Sequence, residues 1–141
     1  MNRMAVGFKV KYYWYQIGSG DFLHSFFSTV AYNLENQEWG SCFPVIMNQL
    51  YQGKVCSENI DKAIEELSRI KEELQEFSPD KVIWDIEDLS KQPPWGKNIS
   101  KDITDLSNYF VTSEGDDFMT VFFHALEKAK EVNAGIEIEH L

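Results

Sequence analysis

The clearest pattern in the sequence is the apolar stripe of residues 57–77. Apolar side chains recur there every three or four positions, and charged side chains fill most of the positions between them. This spacing is typical of an amphipathic α-helix with one buried face. The buried face comprises Ile60, Ala63, Ile64, Leu67, Ile70 and Leu74. Such a helix is stable mainly when it packs on a second apolar surface, so the rest of the chain must supply one.

The N-terminal part of the chain changes from strand periodicity to helix periodicity. Residues 4–17 predict one strand, and a glycine-rich turn separates it from a helix predicted over residues 21–35. Alternation along the strand places Tyr13 and Tyr15 on its outer side. The side chains expected on its buried side are Phe8, Val10, Tyr12 and Trp14.

Shorter patterns predict the remaining elements. Residues 88–108 show no regular period and are expected to form a long irregular segment. The other predicted elements are a short helix over residues 44–51, strands over 81–86, 109–112 and 136–138, and a helix over 116–132. Together these elements predict an α+β fold in a single domain spanning residues 1–141. We expect a mixed or antiparallel sheet of about four strands packed with three to four helices.

Charge narrows the class of partner. The chain carries 23 acidic and 13 basic residues, which gives a formal net charge of −10. The electric field of this negative charge repels nucleic-acid phosphates and anionic lipid headgroups, and it accelerates encounter with a basic protein. We therefore expect no direct binding to nucleic acid or to a membrane. The N-terminus lacks the pattern of a secretory signal, and Cys42 and Cys56 lack metal-binding spacing. These features predict a cytoplasmic protein with both thiols reduced and used for packing.

Catalytic signatures are lacking in the sequence. It contains no motif of a serine hydrolase, zinc protease or phosphate-binding loop. His24, His124 and His140 have no neighbouring motif, so we interpret them as packed or half-exposed residues. We therefore expect no enzyme activity, no catalytic residue, no cofactor and no bound metal.

Two alternatives remain open at this stage. On the predicted strand, Asp85 and Glu87 would point to the same face and could form a divalent-metal site with Asp88, as in a metal-dependent hydrolase. The spacing to Lys91 does not fit a nuclease-type set of acids and lysine. The second alternative is a small sugar- or peptide-binding module in which Tyr13 and Tyr15 stack on the ligand.

Acidic residues concentrate in the least regular part of the chain, between residues 80 and 117. Recognition residues gather on loops, and carboxylates around an aromatic side chain suit a partner rich in lysine and arginine. Pro93 and Pro94 stiffen the segment that carries the aromatic residue. The candidate binding residues are Asp85, Glu87, Asp88, Trp95, Asp102, Asp105, Glu114, Asp116 and Asp117.

Three stretches carry a resemblance to a known family. They are VGFKVKYYWYQIGSGDFLHSFFST, FPVIMNQLYQGK and VIWDIEDLSKQPPWGKNISKDITDLSNYFVTSEG. The sequence resembles the immunity protein 70 family of bacterial polymorphic toxin systems, which accompany LXG-type toxins. The resemblance implies a cytoplasmic antitoxin that binds and blocks a cognate C-terminal toxin domain, often a nuclease. It implies no catalytic residue, and the candidate binding residues rest on charge and loop position.

Overall fold

Residues 5–140, which a computed structural model describes, contain four β-strands and three α-helices. The strands are β1 (Val6–Val10), β2 (Tyr13–Gly18), β3 (Lys54–Val55) and β4 (Ile136–His140). The α-helices are α1 (Gly20–Leu34), α2 (Ile60–Leu74) and α3 (Phe118–Glu131). A π-helix (Val45–Leu50) and two 3₁₀-helices (Ser57–Asn59 and Pro79–Lys81) complete the regular structure. No helix in this range has both the length and the apolar character needed to cross a membrane.

The strands form one antiparallel sheet in the order β2-β1-β4-β3. This arrangement confirms the predicted α+β class with a sheet of about four strands. β1 lies inside the sheet and pairs with both β2 and β4, so the N-terminal and C-terminal strands of the described chain are neighbours. The last strand, predicted over residues 136–138, continues to His140.

The prediction of one strand over residues 4–17 was wrong. The chain turns at Lys11 and Tyr12 and forms a hairpin, with Lys11 in the left-handed region at φ 56°. Met4, the first residue of the predicted strand, lies outside the described residues. In the hairpin Tyr15 pairs with Phe8. Residues that pair across two strands share a face of the sheet, so Tyr15 lies on the face of Phe8. The alternation expected for one continuous strand is therefore reversed after the turn.

The reversed alternation moves the two tyrosines. Tyr13 and Tyr15 share the sheet face of the buried Phe8, and Lys128 Nζ of α3 lies 4.8 Å from the centre of the Tyr13 ring. The expectation that both tyrosines lie on the sheet face away from the core was wrong, although Tyr13 remains 43% exposed. Tyr12, expected to be buried, lies in the turn and is 88% exposed.

The same reversal turns Trp14 to the opposite face of the sheet, where it covers Gly7. A Cβ atom at Gly7 would lie 2.7 Å from Trp14 Cζ2 and 2.5 Å from the Tyr15 carbonyl oxygen. Glycine is therefore required at this position of β1 by close approach of a ring and a backbone.

The core lies where β1, α1 and α3 meet. Phenylalanine rings dominate it: Phe8 lies 4.7 Å from Phe122, and Phe26 lies 4.9 Å from Phe118, measured between ring centres. The α2 stripe packs against this centre, and each of its predicted residues is buried except Ile64, which is half-buried. The structure thus confirms the predicted helix, which begins as a 3₁₀ turn at Ser57 and becomes α-helical at Ile60.

Two buried glutamates hold the irregular segment after α1 and the start of the π-helix that follows it. Glu35 is 1% exposed, and its carboxylate accepts the backbone N–H groups of Gly40, Cys42 and Phe43 at 2.8–2.9 Å. Glu66 of α2 is fully buried and accepts those of Val45 and Ile46 at 3.2 and 2.9 Å. Buried backbone donors without a partner are costly, so these carboxylates replace the hydrogen bonds that a strand or helix would supply.

The strand predicted over residues 81–86 was also wrong. The segment runs along α1, and its backbone bonds to hydroxyl side chains of that helix instead of to a neighbouring strand. Ser25 Oγ and Thr29 Oγ1 donate to the Ile83 carbonyl at 2.9 and 3.2 Å, and the Ile83 N–H donates back to Thr29 Oγ1 at 3.0 Å. The Ile86 N–H donates to Ser28 Oγ at 3.1 Å.

Two further sequence predictions differ from the structure. The strand predicted over residues 109–112 is reduced to one bridge between Val111 and Asp117. Cys42 and Cys56 are exposed, so the expectation that they are packing residues was wrong. Both cysteines lie in connecting segments, and at Cys42 it is the backbone N–H that bonds to the buried Glu35.

The Glu35 carboxylate supports a stability prediction. Glu35→Ala removes the acceptor of three backbone N–H groups, so the free energy of unfolding should fall by roughly 3 kcal/mol. Urea unfolding at neutral pH measures it. Glu38→Ala is the matched control, because Glu38 is exposed in the same segment and should change stability little. Equal losses in the two variants would contradict the role of Glu35.

Glu66 supports a prediction of pH dependence. Burial raises the pKa of Glu66, although the N–H groups of Ile46 and Val45 act in the opposite direction. Because the pKa of Glu66 is higher in the folded than in the unfolded protein, its contribution to stability is fully present below the unfolded pKa. That contribution is lost as pH rises through the folded pKa. Glu66→Gln mimics the protonated carboxyl. The stability of wild type minus that of Glu66→Gln should therefore fall as pH rises from about 4 to about 7.

Urea unfolding of both proteins across this pH range measures the difference. Glu72→Gln, an exposed position of the same helix, should give a smaller pH-dependent change. A wild-type advantage that grows with pH would contradict the assigned direction of the pKa shift.

Candidate functional site

Asp85 is the centre of a polar network that fixes residues 85–91 to α1. Its carboxylate accepts the Glu87 N–H at 2.9 Å, lies 3.3 Å from His24 Nε2 of α1, and pairs with Lys91 Nζ at 3.4 Å. The Glu87 N–H is the main cause of a lowered pKa at Asp85, and His24 and Lys91 add to it. Asp85 is therefore held as a carboxylate by its own surroundings.

His24 extends this network to a tyrosine. His24 Nδ1 lies 3.0 Å from Tyr51 Oη, so tyrosine, histidine and aspartate stand in a row. A row of this kind can activate a hydroxyl nucleophile in an enzyme. Here burial, with added repulsion from Glu87 and Asp85, raises the pKa of Tyr51. The row connects three segments of the fold: α1, the residue that follows the π-helix and the loop that carries Asp85.

The metal-dependent alternative loses its geometric basis. Residues 81–86 form no strand, so the expectation that Asp85 and Glu87 share a strand face was wrong. The carboxylate of Asp85 faces His24 and Lys91, and that of Asp88 accepts the N–H and hydroxyl of Ser90. Across residues 5–140, no group of three histidine, cysteine, aspartate or glutamate side chains is placed to hold a metal ion.

Three more candidate acids bond within their own loops. Asp88 accepts the Ser90 N–H at 3.2 Å, and the Ser90 hydroxyl is the main cause of its lowered pKa. Burial opposes ionisation of Asp105, but hydrogen bonds from Ser107 outweigh burial and lower the pKa of Asp105. Asp117 accepts the Thr120 N–H at 3.2 Å and caps the start of α3. These carboxylates, like that of Asp85, stabilise local structure.

The remaining four candidate acids form what we term the free acidic set. All four are exposed, and within the described part of the chain none of their carboxylates has a hydrogen-bond or ion-pair partner. The set comprises Glu87, Asp102, Glu114 and Asp116. Glu87 lies two residues after the anchored Asp85. Asp116 lies in a loop closed by the Thr112 N–H, which donates to the Asp116 carbonyl at 2.8 Å. Unpartnered carboxylates on tethered loops can accept hydrogen bonds from a second protein.

Trp95 is packed into the protein more firmly than a free surface anchor would be. It is half-buried, its Nε1 donates to Tyr109 Oη at 2.8 Å, and its ring meets Trp84 edge-on at 5.5 Å. Tyr109 in turn contacts Phe110 of the core at 5.1 Å. These three rings, Trp84, Trp95 and Tyr109, connect the residues just before Asp85, the segment that carries Trp95, and the residues that lead to the loop of Glu114 and Asp116.

A comparison with protein families decides the broad role. The model of the family described as Immunity protein 70 matches residues 8–138. The chain belongs to this family. No curated protein and no solved structure matches the chain significantly. Family membership supports an immunity, or antitoxin, role and suggests a non-catalytic one, and it implies binding to a cognate toxin.

In this Immunity protein 70 member the eight sequence-predicted acids divide into two groups. Asp85, Asp88, Asp105 and Asp117 support loops, whereas the free acidic set is available for contact. Sequence reasoning did not find His24, Tyr51 and Lys91 as partners around Asp85. No spacing in the sequence connects Asp85 to His24 and Tyr51, because α1, the end of the π-helix and the loop after Ile83 meet only in the fold.

Asp85 yields a test of the network in this immunity protein. The folded pKa of Asp85 is lowered, so its ionised form stabilises the fold above the unfolded pKa, and this contribution is lost as pH falls through the folded pKa. Asp85→Asn should therefore be less stable than wild type at neutral pH. The gap between the two proteins should narrow as pH falls from about 5 to about 2.

Urea unfolding at a series of pH values measures this gap. Asp102→Asn is the control, because its exposed carboxylate has no partner among residues 5–140 and its removal should change stability little at any pH. If the gap for Asp85→Asn were the same at every pH, the network would not act through the ionised carboxylate.

Proposed function

We propose that this chain neutralises a cognate toxin domain by binding it in a one-to-one complex and covering its working surface. The toxin is the C-terminal domain of an LXG-type protein, and its activity is that of a nuclease. Binding takes place in the cytoplasm of the producing cell, and the immunity protein changes no bond in its partner. The observation that carries the proposal is the family match over residues 8–138.

Charge supports a cationic partner. A nuclease must attract phosphate, so its substrate surface is rich in lysine and arginine. A protein with a net charge of −10 is attracted to the same surface and encounters it quickly at low salt. Occupation of that surface excludes the nucleic acid without any chemistry in the immunity protein.

The contacts follow from the division among the candidate residues. The free acidic set meets lysine and arginine side chains of the toxin directly. Asp85, Asp88, Asp105 and Asp117 contribute charge at the rim, and their hydrogen bonds hold the loops that present the free set. Trp95 gives those loops a rigid base through Tyr109 and Trp84. Fixed loops lose little conformational entropy on binding, which favours a long-lived complex.

Co-expression tests the role itself. Cells that express the proposed cognate LXG-type toxin domain should survive when this chain is present and die when it is absent. Separation of the purified complex in denaturant, followed by refolding of the toxin, should restore toxin activity fully. Permanent loss of toxin activity would indicate chemical modification and would contradict occlusion.

The free acidic set predicts a kinetic effect. Conversion of Glu87 and Glu114 to glutamine and of Asp102 and Asp116 to asparagine removes four negative charges from the proposed surface. The association rate with the toxin domain should fall roughly tenfold or more at about 0.05 M salt. The difference from wild type should shrink towards about 0.5 M salt, because ions screen the attraction. Surface plasmon resonance or stopped-flow fluorescence measures both rates.

A matched variant separates local contacts from net charge. It carries the same charge change at exposed acids outside the proposed surface, namely Glu38, Glu58, Glu72 and Glu127, each changed to glutamine. This control should slow association much less. If the two variants slowed association equally, net charge alone would steer the encounter, and the toxin would bind elsewhere on the protein.

A further inference from the structure

Two adjoining grooves lie beside the aromatic row of Trp84, Trp95 and Tyr109. Ile99 and Tyr109 line both of them. The smaller groove, of about 200 Å³, runs between Pro79, Val82 and Pro93. The larger groove, of about 320 Å³, is lined by Trp95, Asn98, Ile99, Ser100, Ile103, Tyr109 and Val111. We call the larger one the Ile99 groove.

The Ile99 groove exposes apolar side chains that the core does not use. Ile99 is 36% exposed and Val111 is 43% exposed, although they lie twelve positions apart in sequence. Single exposed apolar residues are ordinary on a protein surface. Two that line one groove, with an indole and a phenol as further walls, are typical of a binding site.

The walls of the groove are held before any partner arrives. The hydrogen bond from Trp95 Nε1 to Tyr109 Oη fixes two of them, and the edge-on contact with Trp84 fixes Trp95 from behind. The N–H of Leu106 donates to the Phe77 carbonyl at 3.0 Å and ties the following segment to the end of α2. A preformed groove requires little ordering when a side chain enters it.

Charge around the groove indicates what accompanies that side chain. Asp102 directly precedes Ile103 of the groove wall, and Asp117 forms a backbone bridge with Val111 on another wall. Asp116, with its unpartnered carboxylate, adjoins Asp117 in the same loop. The neighbouring cations are Lys101 and Lys97, which lines the adjoining groove, so three acids stand against two bases next to the groove walls. Lysine or arginine on both sides of an apolar side chain would match this rim.

We propose, building on the function proposed above, that the Ile99 groove receives one large apolar side chain of the toxin domain. The side chain comes from a segment in which lysine or arginine residues stand on either side of it. A volume of about 320 Å³ suits one aromatic or branched aliphatic side chain, since it lies near the lower end of the roughly 300–1,000 Å³ typical of small-molecule sites. The groove holds the complex together, and the free acidic set guides its formation.

The two roles separate in kinetics. Apolar contact buried after docking acts on dissociation, whereas exposed charge acts on association and its salt dependence. Ile99→Ser and Val111→Ser should each raise the dissociation rate of the toxin complex about tenfold or more, with an association rate close to that of wild type. These effects should persist at high salt. Two positions are tested so that a folding defect in one variant leaves the other to decide.

Leu89→Ser is the matched control, because Leu89 is 52% exposed and lines neither groove. It should leave both rates unchanged. Thermal unfolding of each variant should match that of wild type within a few degrees, which excludes loss of folded protein as the cause. In the toxin domain, amide hydrogen exchange identifies the apolar residue that becomes protected in the complex. Alanine at that residue should raise the dissociation rate as Ile99→Ser does.

The outcomes are distinguishable. If wild type binds the toxin domain and Ile99→Ser, Val111→Ser and Leu89→Ser all dissociate at the wild-type rate, the groove is not a contact and the proposed function stands. If the groove variants change only the association rate, an apolar anchor is likewise excluded. If wild type does not bind the toxin domain at all, both proposals are overturned.

Discussion

Side chains that bond to the backbone of irregular segments are the constraint on which the structure depends. Ser25, Ser28 and Thr29 of α1 hold residues 83–86. Glu35 does the same for the segment between α1 and the π-helix, and Glu66 does it for the first two residues of the π-helix. In each case a polar side chain on or next to a helix accepts or donates the hydrogen bonds that the backbone would otherwise lack. The backbone of these long loops is therefore held in place by side-chain hydrogen bonds.

This mode of support explains how an acidic protein can present charge on defined loops. Four of the candidate carboxylates are committed to turns, a helix cap or the contact with His24, and their pKa values are lowered where a shift is resolved. The other four remain available. Rigid presentation of a few carboxylates suits the immunity role that family membership supports, because a partner then loses little freedom when it docks.

The three α-helices and the last strand could be predicted from the sequence, but the hairpin and the path of residues 81–86 could not. The α2 stripe has a strong helical period, and its buried face has the predicted residues. Residues 81–86 have the composition of a strand, but the hydroxyl groups that satisfy their backbone lie more than fifty positions away on α1. No local pattern distinguishes that arrangement from a ladder. The hairpin was missed for a different reason, since Lys11 adopts a left-handed conformation that lysine seldom favours.

The candidate residues show the same limit. Composition located the acidic segment, but it could not separate acids with internal partners from acids without them, because that difference depends on neighbours such as His24 and Ser107. The exposed apolar pair of Ile99 and Val111 gave no sequence signal, because short apolar residues in an irregular stretch resemble packing residues.

Trp14 and Gly7 add a last consequence. One face of the sheet carries polar side chains such as Lys9, Gln16 and Glu137, and it faces water. The missing side chain of Gly7 would leave a bare patch of peptide on that face, but the indole lies across it. The Trp14 indole therefore shields the backbone in the middle of the sheet from water on the face that it shares with Lys9.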